Sequence, residues 1–479
     1  MDSEIDTDRR RFTEVAAGTP VVVGDWVVPM PETVPGDRVV AVARTGDLLV
    51  VGEAARRAAT AAVDDAHAAF AAMTTTEPGR VDAFFDGFAA LLDDDSVWDV
   101  IAAANAADVE RARTAGRFTN RLPVSDKMRA AMVDGLRGWA GRESSVGRVV
   151  ERREGPDYVL ERRVAPLGVV AFVFEGRPNV FADGVGVLRN GNTAVMRIGG
   201  DALGTAEAIE QHALAPALAH AGLPAGAVRL VRSRDRAAGQ ALFTLPQVRL
   251  AVARGSGPTV ALLGSIAEQH GIPASLHGTG GAWMYVDATA TPAAVENAVS
   301  ASLDRKVCNT LNTLVLDTAA IEVLGPVVAK TLESLDAVVH VAAGSSGVVA
   351  ATGTSDIPIE SLSREYEWEG RPELAFVTAD GLPAAARLVN DHSPHFVASI
   401  LTTNPGAFEQ FYDAVDAPYV GAGFTRWVDG QWAWQRPELG LTNWERGRLL
   451  GRSGILSGDD IVTVRDVFLD RSGEARQAR

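Results

Sequence analysis

The chain reads as an α/β protein built on doubly wound parallel sheets, and three observations carry that reading. The run GVVAFVF after Pro166 is continuously apolar, as a parallel strand buried on both faces must be. Strand-like and helix-like segments then alternate: Phe181 to Arg189, TAVMR, Asp201 to Ala219, AVRLV, a helix near Ala237, and VRLAVA. The alternation starts again beyond Pro258, and 479 residues are more than one core ordinarily serves, so two lobes are expected.

In chain order, residues 1–50 read as an N-terminal extension, with PVVVGDWVVP and RVVAVAR as short strands set off by Pro31, Pro35 and Gly36. From Ala54 the spacing turns helical. Ala59, Val63, Ala66, Phe70 and Met73 make one apolar face, and Val81, Phe84, Phe85, Phe88 and Leu91 make a second. Trp98 to Arg113 predicts a third helix, and Met128, Met132, Leu136 and Trp139 a fourth; these large side chains are core material. VGRVVERRE and YVLERRV around Gly155, Pro156 and Asp157 predict a charged hairpin, an arm over 146–164 that pairs with a neighbouring subunit. The nucleotide-binding lobe is expected over 51–257 and the catalytic lobe over 258–445, with a C-terminal segment at 446–479. In the second lobe the predicted elements are AWMYV, Pro292 to Leu303, NTLVL, Ala319 to Leu335, VVHV, AFVT, Leu382 to Asn390 and VASILT. A Gly/Ser/Thr-rich loop, Gly344 to Ile357, lies among them.

The formal charge of −16 argues against nucleic acid or an anionic membrane as partner, and no run of 18 apolar residues occurs. A cytoplasmic protein acting on a small anionic molecule is expected. With lysine only at Lys127, Lys306 and Lys330, an anion pocket must be built mainly from arginine.

Cys308 is the only cysteine, so the chain has neither an internal disulfide nor a cysteine-cluster metal site. A lone thiol can be a small buried hydrophobe. Here Arg305 and Lys306 precede it, cations of the kind that raise a thiolate fraction, and Asn309 follows as an amide donor for an oxyanion beside the Cys308 N–H. Two strand ends suit phosphate: TAVMR runs into Ile198, Gly199, Gly200 and Asp201, and VRLAVA into Arg254, Gly255, Ser256 and Gly257. Neither is GxGxxG, and an ordinary strand-to-helix turn explains each alone. Arg197 ends its strand where an adenosine ribose or its 2′-phosphate would lie, which favours NADPH. Arg177 and Asn179, where a strand opens into a loop, either bind an anion or anchor the loop. His277 and His395 fit structural imidazoles, since no spaced His/Asp/Glu set marks a triad or metal site.

PLGVVAFVFEGRPNV, GNTAVMRIGG and RKVCNTLNTLVL resemble motifs of the glutamate-5-semialdehyde dehydrogenase, or gamma-glutamyl phosphate reductase, family within the aldehyde dehydrogenase superfamily. IAAANAADVERAR and RLPVSDKM are similar to its helical region, and the likeness runs from about Ala54 to Val464. The resemblance implies an aldehyde-dehydrogenase-like fold of cofactor lobe, catalytic lobe and small oligomerisation arm in a homo-oligomer. It implies NADPH-dependent reduction of an acyl phosphate, as in proline biosynthesis, with Cys308 as nucleophile, Asn309 and Asn179 beside it, and NAD as a possible substitute. Arg177, His277 and Arg426 fall to the substrate, and Glu438 joins Arg197, Gly199, Gly200, Arg254, Gly255 and Ser256 at the cofactor. Thr425, Arg426, Asp429, Gly430, Glu438 and Gly440 match the family's C-terminal motif, whereas its Gly-Glu-Phe-Gly core is Gln431, Trp432, Ala433 and Trp434 here. The stretches at His277 and His395 lack the family's acidic member. IPASLHGTGG also lacks the glutamate that hydrolytic aldehyde dehydrogenases carry before the nucleophile. Oxidation of a different, more apolar aldehyde and non-catalytic binding of a nucleotide or partner protein stay open as alternatives; retention of Cys308 with Asn309 weighs against the latter.

Overall fold

A computed structural model describes residues 12–117, 119, 122–176, 178–345, 347, 355–428, 441–442, 455–456, 458–471 and 473. The chain divides into two compact units, one running to Leu276 and taking in the C-terminal strand, the other beginning at His277.

The first unit opens with two antiparallel hairpins, β1 (Pro20–Val23) with β2 (Trp26–Pro29) and β3 (Arg38–Val42) with β4 (Asp47–Val51). Val42 and Val51 enter the unit's core, so the hairpin over 38–51 is part of this body and not an appended extension. Four helices follow where the three-and-four spacing predicts them: α1 (Glu53–Met73), α2 (Pro78–Asp93), α3 (Asp95–Thr114) and α4 (Asp126–Trp139). Their starts are set by caps. Asp94 Oδ1 accepts the N–H groups of Ser96 and Val97 at 2.8 and 3.3 Å, and Ser125 Oγ accepts that of Met128 at 3.2 Å.

β5 (Val149–Glu154) and β6 (Tyr158–Pro166) form the expected hairpin, but β6 has a second partner. The C-terminal strand, Val462–Asp470, pairs antiparallel along its whole length, from Val462 opposite Pro166 to Asp470 opposite Tyr158. The segment assigned to 446–479 is thus partly built into the arm, and β5 is left as an edge with all six residues exposed.

The parallel sheet comes next: β7 (Val169–Phe174), α5 (Val180–Gly184), β8 (Thr193–Ile198), α6 (Leu203–Ile209), α7 (Ala215–Ala221), β9 (Val228–Leu230), α8 (Ala237–Leu242), β10 (Val248–Arg254), α9 (Gly257–Gln269) and β11 (Ala274–His277). Strand order is β11-β10-β7-β8-β9, with β7 parallel to both β8 and β10. Val169, Ala171 and Val173 share a core with α1, α8 and α9, while Phe172 and Phe174, pointing the other way, stack at 5.2 Å. Both faces are covered, which is why GVVAFVF carries no polar residue. The division expected at 257/258 falls instead at 276/277, because Val260, Leu263 and Ile266 of α9 pack into this core and β11 is the sheet's edge.

The second unit runs β12 (Ala282–Val286), α10 (Pro292–Ser302), β13 (Leu311–Asp317), α11 (Ile321–Ser334), β14 (Val338–Ala342), β15 (Ser355–Ile357), β16 (Glu373–Ala379), α12 (Gly381–His392), β17 (Val397–Leu401), α13 (Pro405–Ala414) and β18 (Tyr419–Ala422). All its strand pairs are parallel, in the order β15-β14-β16-β13-β12-β17-β18. One face packs against α10 and α11, the other against α12 and α13. Every residue of β12 and β13 is buried, and the one phenol among them, Tyr285, donates to Asp317 Oδ2 at 2.5 Å. Among the described residues no helix is long and apolar enough to cross a membrane, and no group of three or more His, Cys, Asp or Glu side chains could hold a metal ion.

Candidate active site

Cys308 lies in the loop 303–310 between α10 and β13, at the amino end of that strand, and is partly exposed. Its sequence wires the loop from within. The Thr310 hydroxyl donates to the Arg305 carbonyl at 2.7 Å and accepts the Val307 N–H at 2.8 Å. Two other segments brace it from outside. The Gly281 N–H donates to the Cys308 carbonyl at 2.7 Å; the Thr425 hydroxyl donates to the Asn309 carbonyl at 2.8 Å, and the Thr425 N–H donates to Ser302 Oγ at 2.9 Å. The thiol side of the loop packs on Ala282, Phe396, Val397 and Tyr419.

Gly280 is a glycine for a steric reason. A Cβ there would sit 2.7 Å from the Cys308 carbonyl oxygen, 2.9 Å from its Cα and 2.8 Å from Glu365 Oε1, closer than real Cβ contacts come. Glu365 is the carboxylate that the sequence did not reveal. Its Oε2 accepts the Gly280 N–H at 2.7 Å and its Oε1 meets Lys306 Nζ at 2.6 Å, with Glu367 at 3.9 Å from the same nitrogen. The Lys306 cation that precedes the thiol is thus paired with Glu365 in a poorly solvated contact.

The remaining predicted residues sort by unit. Arg426, 8% exposed, is ion-paired with Asp304 of the Cys308 loop. His277 is buried and edge-on to Phe396 at 6.4 Å; Asn309 is 2% exposed, with Oδ1 unpartnered among the described residues. His395 turns Nδ1 to the Asp416 carbonyl at 2.8 Å. In the first unit Asn179 is half-buried at the start of α5, its Nδ2 donating to Asp183 Oδ2 at 3.5 Å. Arg177, Asp429, Gly430, Glu438 and the 431–434 stretch lie outside the described residues.

The two glycine-bearing strand ends differ from one another. Gly199 and Gly200 are demanded by the chain itself, since a Cβ would lie 2.8 Å from the Gly176 nitrogen and 2.7 Å from the Arg234 carbonyl oxygen. Gly255 faces open space just ahead of α9, whose N-cap Ser256 makes no side-chain cap hydrogen bond; Arg254 is paired with Glu175 at 3.6 Å. Arg197 is 8% exposed with its Nε unpartnered among the described residues, and burial draws its pKa below arginine's ordinary value, a shift that Asp235 opposes. Strand order reverses between β7 and β10, the position at which doubly wound sheets open a ligand crevice. An open glycine before a helix N-terminus and a buried arginine with an orphaned donor fit the phosphate and ribose groups of a nicotinamide dinucleotide.

Two parallel α/β units, one carrying a lone braced thiol, are the features on which the comparison with known families bears. A model of the aldehyde dehydrogenase family matches residues 38–339, and the chain belongs to that family, whose members work with NAD or NADP. Among solved structures, the gamma-glutamyl phosphate reductase of Thermotoga maritima has a TM-score of 0.76 at 22% identity, covering 88% of this chain and 100% of that one. A propionaldehyde dehydrogenase of Rhodopseudomonas palustris with bound CoA and an acylated cysteine has a TM-score of 0.60 at 15% identity, over 86% and 97%. An NAD-dependent aldehyde dehydrogenase of Sinorhizobium meliloti has a TM-score of 0.60 at 19% identity, over 90% of each chain. At these identities the likeness establishes the aldehyde dehydrogenase fold.

Proposed function

We propose that this chain reduces an acyl phosphate, gamma-glutamyl phosphate or a related one, to its semialdehyde through a thioester on Cys308, with NADPH as reductant. The observation that carries this reading is the condition of the carboxylates around the thiol. Glu365 gives one oxygen to Lys306 and the other to the Gly280 N–H, and Asp304 is paired with Arg426. Both carboxylates are thus engaged with cations, and IPASLHGTGG contributes no acid. Hydrolysis of a thioester there lacks general-base assistance worth roughly 10² to 10⁴ in rate.

Cys308 Sγ, as thiolate, attacks the acyl carbon; the C–S bond forms, the bond to the phosphate oxygen breaks, and phosphate departs with that electron pair. A nicotinamide dinucleotide, when bound, would supply the hydride. As the acyl carbon is reduced, the C–S bond breaks and Sγ leaves as thiolate, regenerating the starting state. In this reading the Asn309 and Asn179 amides serve the oxyanion, Arg177, His277 and Arg426 serve the anionic substrate, and Arg197 selects the 2′-phosphate.

The test runs the reaction backwards, with glutamate-5-semialdehyde and oxidised dinucleotide. Appreciable turnover is expected only when phosphate or arsenate is present to take the acyl group. Release of free carboxylate at the same rate in phosphate-free buffer would make the enzyme a hydrolytic dehydrogenase and overturn the proposal.

A further inference from the structure

Lys306, Glu365, Gly280, Gly281 and Cys308 form a closed circuit. Lys306 Nζ meets Glu365 Oε1 at 2.6 Å, Glu365 Oε2 accepts the Gly280 N–H at 2.7 Å, and the next amide, Gly281, donates to the Cys308 carbonyl at 2.7 Å. Two residues of chain return from Cys308 to Lys306. The segment that carries Glu365 is itself fixed: Asn312 Oδ1 accepts the Tyr366 N–H at 2.9 Å, Asn312 Nδ2 donates to the Arg364 carbonyl at 2.8 Å, and the Tyr366 ring stacks on His340 at 4.5 Å. The Lys306 and Glu365 side chains are 9% and 18% exposed, so the pair sits where charges act at longer reach than in water.

We infer that Glu365 is a positioning residue for the nucleophile: it holds the 280–281 turn against the Cys308 carbonyl and compensates the Lys306 cation, so that the thiol titrates in a charge-balanced loop. This rests on the reading of Cys308 as the reactive thiol and adds what governs its reactivity. Among the described residues, the other charged and titratable groups on the elements packed around the loop include Asp304 with Arg426, Arg305, Arg364, Tyr366, Glu367, His277, His395 and Tyr419. Of the carboxylates in that set, Glu365 is the one that joins Lys306 to the turn touching Cys308.

The test needs no substrate. With a single cysteine in the chain, the rate of iodoacetamide capture against pH reports Cys308 alone. E365Q keeps an acceptor for the Gly280 N–H but leaves Lys306 with only the more exposed Glu367, 3.9 Å away, and its alkylation midpoint is expected to fall by about one pH unit. Lys306→Met leaves the carboxylate uncompensated, and its midpoint is expected to rise. The double variant is expected to return close to the parent value. A merely structural role would lower the melting temperature of each variant without moving the midpoints. An unmoved midpoint in folded E365Q, or in folded Lys306→Met should E365Q not fold, overturns the inference. A failure of turnover with acyl phosphates would leave these titrations unchanged, so the two claims fail separately.

Discussion

Replacing the Cys308 sulfur with oxygen alters one atom on a partly exposed side chain, so Cys308→Ser is expected to fold and bind dinucleotide as the parent does. Turnover should fall below detection, because an unactivated hydroxyl is a poor nucleophile where a thiolate is needed; substantial residual activity would count against covalent catalysis. Arg197→Ala is expected to reduce preference for NADPH over NADH by about tenfold or more, the scale of one hydrogen bond to a charged group. Titrating the variant with both dinucleotides checks this, and an unchanged ratio would remove Arg197 from the cofactor's recognition. Cys308 was legible in the sequence because it is unique and sits among cations and amides. Glu365 was not, because it occurs in SREYEWEG, a run that reads as a solvated charged face. Its two partners lie 59 and 85 positions away, and only the fold supplies those contacts. Gly280 was legible as a loop glycine, but its reason, the approach of the Cys308 backbone, was not.

Among the elements, helices were the most legible, since three-and-four spacing and capping residues are local signals. What the sequence hid were strands whose partners are distant. VTVRDVFLD has an alternating character, yet it pairs with β6 some three hundred positions earlier, as the Arg162 to Asp466 contact across 304 positions records. β11 was hidden for a different reason: ASLH is four residues long and half polar. The three-stranded arm also presents β5 as an open edge, with Val149 and Val150 at 42% and 55% exposure and Phe468 and Leu469 exposed on the same sheet. An uncovered edge with apolar side chains is what a second copy of the chain would cover. Light scattering at micromolar concentration is therefore expected to give a multimer, and Val149→Asp with Val150→Asp to dissociate it. A monomeric parent chain would count against this use of the arm.

Over the whole molecule, the two parallel sheets were legible because both are buried on each face and their strands are correspondingly apolar. The border between the units was not, since α9 follows its sheet with the same pattern that opens the next. Composition has a chemical consequence as well. Of 45 cationic side chains only three are lysines, and a guanidinium, unlike an amine, does not intercept activated acyl groups. The one lysine in the Cys308 loop has its nitrogen turned onto Glu365 at 2.6 Å, so that amine already has a partner. On the proposed thioester mechanism, the lysine two residues from Cys308 is engaged by Glu365, and a side reaction that would consume the catalyst has no unengaged amine in that loop to start from.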